Sequence, residues 1–130
     1  MSETSRRIIF VVDDDEMHSN MMHEHLSGNP QLDVRSFSTG EDCIKALLHV
    51  NPDVIVLDYY LNSVYKDAMN GLQILDVIRK LNKDVHVIML SSQERYGLAL
   101  QTIQHGAERY VIKGEQAFAE VAAIIAAIPY

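Results

Sequence analysis

Four apolar runs in this 130-residue chain each end on a polar side chain that could do chemistry. Ile8-Ile9-Phe10-Val11-Val12 ends on Asp13 and Asp14, and Val54-Ile55-Val56-Leu57 ends on Asp58. Val87-Ile88-Met89-Leu90 ends on Ser91, and Tyr110-Val111-Ile112 ends on Lys113. Three carboxylates held close together repel, and unrelieved repulsion raises at least one of their pKa values well above the ordinary carboxylate range. A hard divalent cation removes that cost, and carboxylate, carbonyl and water oxygens suit octahedral magnesium. An ammonium beside such a cluster can balance an incoming anion.

The side chains meet only if the runs that carry them lie side by side and end at one edge. Short, β-branched-rich runs bounded by polar residues read as strands buried on both faces of a parallel sheet. Such sheets bind ligands beyond the carboxyl ends of their strands, where the winding switches direction. Helical patterns fall between the runs. Met17, Met21, Met22 and Leu26 predict one apolar face, stopped by Gly28 and Pro30. Leu32 to Phe37 alternates apolar and polar residues, as a half-covered edge strand does. Ser38-x-x-Glu41 predicts a capping box before Ile44, Leu47 and Leu48. A long connection, Tyr59 to Met69, follows Asp58, and Asn70-x-x-Gln73 then caps a helix carrying Leu72, Leu75, Ile78 and Leu81. A fourth helix is expected near Glu94 to His105. A fifth carries Phe118, Val121, Ala122, Ile125 and Ile128 on one stripe. Five strand–helix repeats without a linker predict one α/β domain over residues 1–130, with a parallel, doubly wound sheet between two helical layers.

Composition narrows the function classes. A net charge of −7 gives no basic face for nucleic acid. No apolar stretch approaches the ~20 residues of a membrane span. A single cysteine, Cys43, excludes an internal disulfide and fits a reducing compartment, so a cytoplasmic protein is expected.

Taken together these residues resemble a response-regulator receiver domain, the CheY-like phosphoacceptor module of two-component signalling, from Ile8 to about Ile128. The resemblance places the family's acidic pair on Asp13 and Asp14 and its phosphorylated aspartate on Asp58. Its hydroxyl residue falls on Ser91, its switch aromatic on Tyr110 and its lysine on Lys113. It implies a flavodoxin-like, five-stranded sheet of order 2-1-3-4-5. Asp14 and Asp58 are then direct ligands of magnesium (or manganese in its place) and Asp13 a ligand through water. The resemblance supplies the main-chain carbonyl of Tyr60 as a further ligand. Ser91, Lys113 and the amides of Tyr59 and Ser92 are expected to hold the phosphoryl group, with Ser91 and Tyr110 as the switch pair. Bulky Tyr60 and Gln93 would flank the path of hydrolytic water. Implied partners are a sensor histidine kinase or histidine phosphotransfer protein and a downstream protein or effector domain. A phosphorylation-dependent homodimer is also implied. The domain promotes its own phosphorylation without being a dedicated enzyme.

The chain departs from the family pattern in two places. Leu61-Asn62 replaces the usual Met-Pro, and Gly71 arrives about five residues late, so the Tyr59–Met69 loop is expanded beside the site. Gly114 replaces the proline usual after the lysine. A cis bond without proline costs ~3 kcal/mol, so the Lys113–Gly114 bond is either trans in a reshaped loop or strained. The bland readings are ordinary ones: Asp15 as a helix cap, Cys43 as a small helix residue, the methionines as core filling. His18 and His25 share a helical face, where a solvated surface outweighs a soft-metal site. Tyr65, Lys66 and Asp67 are expected to face solvent. Two rival functions stay open. One is a phosphohydrolase of haloacid-dehalogenase type with Asp13 as nucleophile, which leaves Asp58 unexplained. The other is a receiver that is never phosphorylated and serves for docking or dimerisation.

Overall fold

The computed structural model describes residues 6–64, 66–92 and 96–129. Five strands alternate with five helices: β1 (Arg7–Val12), α1 (Glu16–Ser27), β2 (Leu32–Phe37), α2 (Gly40–Leu47), β3 (Val54–Asp58), α3 (Gly71–Leu81), β4 (His86–Ser91), α4 (Tyr96–Gln104), β5 (Arg109–Ile112) and α5 (Ala117–Ala127). The strands form one parallel sheet in the order β2-β1-β3-β4-β5. The step from β1 to β2 runs opposite to the steps from β3 to β5. Right-handed crossovers therefore put α1 on one face with α5, and α2, α3 and α4 on the other.

Alternation along the strands feeds two cores. Ile9, Val11, Val54, Val56, Ile88, Leu90 and Val111 pack with α1 and α5. Phe10, Val12, Ile55, Leu57, Val87 and Met89 pack with α2 and α3. The α5 stripe is as expected, with Val121, Ile125 and Ile128 buried and Phe118 and Ala122 against them.

Several local expectations are corrected. On α1 only Met22 and Leu26 of the apolar set are buried; Met17 is 73% exposed and Met21 49%. The apolar stripe is narrower than the methionines imply, because Met17 and Met21 turn away from α5. Leu48 caps the end of α2 and is exposed, while Cys43 fills the core with its thiol pushed up to about 12 by burial. Thr39, not Ser38, caps α2, accepting from the Asp42 amide at 3.1 Å. Helix α4 is described from Tyr96; the expected start near Glu94 lies outside the described residues with Gln93 and Arg95, as does Tyr65. Leu81, placed on the apolar stripe of α3, is exposed and Ile74 is buried in its stead. The Asn70–Gln73 capping box is present in both directions.

Arg79 ties α3 to the loops that carry β4 and β5. Its Nε and Nη2 donate to the Gly106 carbonyl at 3.0 and 2.7 Å, and its Nη1 to that of Val85 at 2.7 Å. Losing a charged donor strands these carbonyls at a cost of about 2 kcal/mol. Arg79→Leu should therefore lower the urea midpoint by that equivalent without altering the slope; an unchanged midpoint would refute the tether.

Candidate functional site

Register brings the four polar ends together. Val12 sits opposite Leu57, Asp58 opposite Leu90, and Ser91 opposite Ile112, so Asp13, Asp58, Ser91 and Lys113 finish level at the carboxyl edge. Asp13, Asp14, Asp58 and Ser91 are all buried. Ligand oxygens of the three aspartates lie within 4.8 Å of one another. Lys113 Nζ reaches across to both Asp13 Oδ2 at 3.2 Å and Asp58 Oδ2 at 3.3 Å. A cleft of about 820 Å³ opens over the group, lined by Asp14, Asp58, Tyr60, Ser63, Ser92 and Lys113, among others.

Electrostatics divides the aspartates. Burial, then the neighbouring Asp13 charge, pushes the Asp58 carboxyl up to about 8 against the pull of Lys113. Burial also works to raise Asp13, but the His18 hydrogen bond, the Lys113 charge and the Asp15 amide outweigh it and hold that carboxyl below its ordinary range. Lys113 loses stability as a cation by desolvation and regains more from Asp58 and Asp13, so its pKa rises. Burial and mutual repulsion thus favour the neutral form at Asp58 and the ionised form at Asp13. Asp58 Oδ1 is buried and without a hydrogen-bond partner. Three carboxylates with an orphaned oxygen among them fit a hard cation such as magnesium, which accepts several oxygen ligands at once.

The expanded loop is built into the site. Leu61 anchors it in the core beneath α2 and α3. The amides of Ser63 and Val64 both donate to Asp14 Oδ2 at 2.9 Å. Glu41 Oε2 accepts from the Met69 amide at 3.0 Å, so this glutamate supports the loop instead of closing a capping box. The excursion is pinched shut where Gly71 N donates to the Tyr59 carbonyl at 2.7 Å. Nothing in the loop's composition marks Ser63 and Val64, because they act through main-chain N–H groups.

Asp15 caps α1, accepting from the His18 amide at 3.2 Å. Tyr110 is half-buried against the α2–α3 core. Ser92 is exposed at the rim and Tyr60 lines the cleft, its ring edge-on to Tyr59 at 4.8 Å. The Tyr59 amide, expected to face a phosphoryl group, donates instead to the Leu90 carbonyl at 2.8 Å, continuing the β3–β4 ladder. Among the described residues no peptide bond is cis, so Lys113–Gly114 is trans. Sequence reasoning misses His18 as a member of the site, yet its Nδ1 lies 2.8 Å from Asp13 Oδ2.

Residues 9–125 match the family described as the response regulator receiver domain. The chain belongs to that family. It is 31% identical over 116 residues to a protein-glutamate methylesterase/protein-glutamine glutaminase of Treponema pallidum, spanning 87% of this chain and 28% of that protein. It is 30% identical over 82 residues to the luminescence regulatory protein LuxO of Vibrio campbellii, spanning 63% of this chain and 17% of that protein. The receiver thus spans less than a third of the length of these curated relatives. Among solved structures, the signal receiver domain of a LuxO repressor protein from Vibrio parahaemolyticus superposes with a TM-score of 0.80 at 25% identity, covering 93% of this chain and 88% of that one. A beryllofluoride-activated DrrB receiver domain gives 0.80 at 26%, covering 93% and 95%. This receiver has the strand order and acidic cluster expected of it. Among the described residues no helix is long and apolar enough to cross a membrane.

Proposed function

We propose that this receiver accepts a phosphoryl group on Asp58 from a phosphohistidine of a sensor histidine kinase or histidine phosphotransfer protein. We infer that the acyl phosphate then switches the face made by α4, β5 and α5. The observation that carries the reading is Asp58 itself: buried at the end of β3, one oxygen bridged to Lys113 and the other orphaned among carboxylates.

Asp14 and Asp58 directly, Asp13 through water and the Tyr60 carbonyl would hold magnesium, which when bound neutralises these carboxylates and the phosphoryl oxygens. Asp58, its proton released to solvent in the metal-loaded site, attacks phosphorus as the carboxylate. The P–O bond forms as the P–N bond breaks, and the departing electron pair returns to the imidazole nitrogen. Such transfers have a loose transition state, so positioning and charge balance are the protein's main contribution. Lys113 balances the equatorial oxygens from its bridging position. The Ser91 hydroxyl and the Ser92 amide donate to the phosphoryl group. Drawing Ser91 forward frees space for Tyr110 to turn inward, and only that differential stabilisation shifts the output face. Leu100 and Ile103 of α4 and Ile112 of β5 are exposed apolar residues there, suited to a downstream protein, an effector segment or a second receiver.

Incubation with magnesium and a small phosphodonor should add the mass of one phosphoryl group to the wild type and none to Asp58→Asn. A label mapped to Asp13 would sink the reading. No label under any donor would make the chain a docking or dimerisation module.

A further inference from the structure

His18 lies in the first turn of α1, wedged between the acidic cluster and α5. Its Nδ1 is 2.8 Å from Asp13 Oδ2, and its ring packs on Phe118 at 5.1 Å between centroids. His25 flanks Phe118 from the next turns at 6.0 Å, so the seam between α1 and α5 fixes the ring. An ionised carboxylate only accepts hydrogen bonds, so Nδ1 carries the proton. Nε2 is buried without a partner.

Asp13 Oδ2 is a shared oxygen, since Lys113 Nζ also holds it at 3.2 Å while reaching Asp58 Oδ2 at 3.3 Å. In the reaction proposed above, the negative charge at Asp58 moves outward onto the phosphoryl oxygens, and the ammonium must follow. Its departure would leave the Asp13 carboxylate, 1% exposed, without its cation. His18 does not follow, because its backbone belongs to α1 and its ring is held by Phe118. Among the described residues it is the donor on this oxygen that stays through the cycle.

We propose that His18 is a positioning residue of the phosphoacceptor site, whose Nδ1–H fixes the Asp13 carboxylate for the metal shell and releases Lys113 to the phosphoryl group. The inference rests on Asp58 being the phosphoacceptor. Groups that orient a metal's ligands typically matter about tenfold or more for metal affinity, although they never touch the ion.

Two variants separate this role from packing. His18→Leu keeps an apolar contact with Phe118 and removes the donor. His18→Asn gives up the ring but places Nδ2 as many bonds from the main chain as Nδ1. Magnesium affinity is read by isothermal titration on the full chain, and beryllofluoride uptake by ¹⁹F NMR, with thermal melts recorded alongside. The leucine variant should bind magnesium about tenfold more weakly while melting normally, and asparagine should restore most of the affinity despite poorer packing. If the leucine variant does not fold, His18→Met, which also packs on Phe118 and has no N–H or O–H donor, takes its place. Wild-type affinity in the variant lacking the donor, or no recovery with asparagine in a folded protein, overturns the role of His18 and leaves Asp58 as phosphoacceptor intact. A wild type that binds neither magnesium nor beryllofluoride overturns both.

Discussion

Asp58→Asn should gain about 3 kcal/mol of stability relative to the metal-free wild type as the pH is raised from 5 to 8. The folded protein holds the Asp58 proton up to about 8, whereas an unfolded aspartate releases it near 3.8. Between those values the native state binds more protons than the unfolded chain. Wild-type stability therefore falls as pH rises through the window, by up to about 1.36 kcal/mol per pH step of one. Asp13 is displaced the other way, but its titration lies below the window. Lys113, raised from 10.5, titrates above it. Asparagine keeps the shape of Asp58 and never ionises, so the variant should lack the descending limb. Saturating magnesium should restore the wild type and help the variant less. Urea midpoints at the two pH values, with and without magnesium, decide the matter; parallel pH profiles for the two proteins would show that burial of this carboxyl costs nothing. The site thus gives up stability for a reactive group, as active sites with buried like charges do.

The strands and their polar ends are legible in the sequence because a parallel sheet writes itself as uninterrupted apolar runs, and the last residue of each run is the residue of the site. Asp13, Asp58, Ser91 and Lys113 can be placed in this way before any coordinates. The α5 stripe and the Asn70–Gln73 box are equally plain, since each is a local pattern read within one element. What escapes is set by contacts between distant segments. Glu41 has the spacing of a capping residue three positions after Ser38, yet its carboxylate is drawn 28 residues along the chain to the Met69 amide. Ser63 and Val64 hold Asp14 with backbone groups, which carry no residue signature. The helical face that His18 shares with His25 suggests a solvated surface, but the turn after β1 folds the first residues of α1 back over Asp13. A residue five positions after a strand-end aspartate, at the third position of a capped helix, is near enough to touch it. Tyr59 departs from expectation because the ladder runs one residue past the strand and claims its amide.

Gly71→Ala should destabilise the protein by about 3 kcal/mol and impair phosphorylation, whereas Gly114→Ala should do neither. A methyl group at position 71 would lie 2.4 Å from the Asp58 carbonyl oxygen and 2.7 Å from the Tyr59 Cα. Both are backbone atoms at the end of β3, so relief requires moving the strand that carries the phosphoacceptor. At Gly114 an added methyl meets nothing within 4 Å. The reason lies in how the expanded loop is accommodated. Extra residues after Asp58 do not push α3 away from the sheet, because Gly71 N still donates to the Tyr59 carbonyl at 2.7 Å and closes the excursion at its base. The loop is free to lengthen outward, over Asp14, only while the residue at its closing point has no side chain. Lengthening such an excursion costs little by itself, since closure entropy grows slowly with length. The clash at the pinch is the steep cost. Denaturant midpoints and the rate of beryllofluoride uptake should fall together in Gly71→Ala. A variant with normal stability and uptake would mean that α3 and β3 part easily, and that the close approach at residue 71 does not position Asp58.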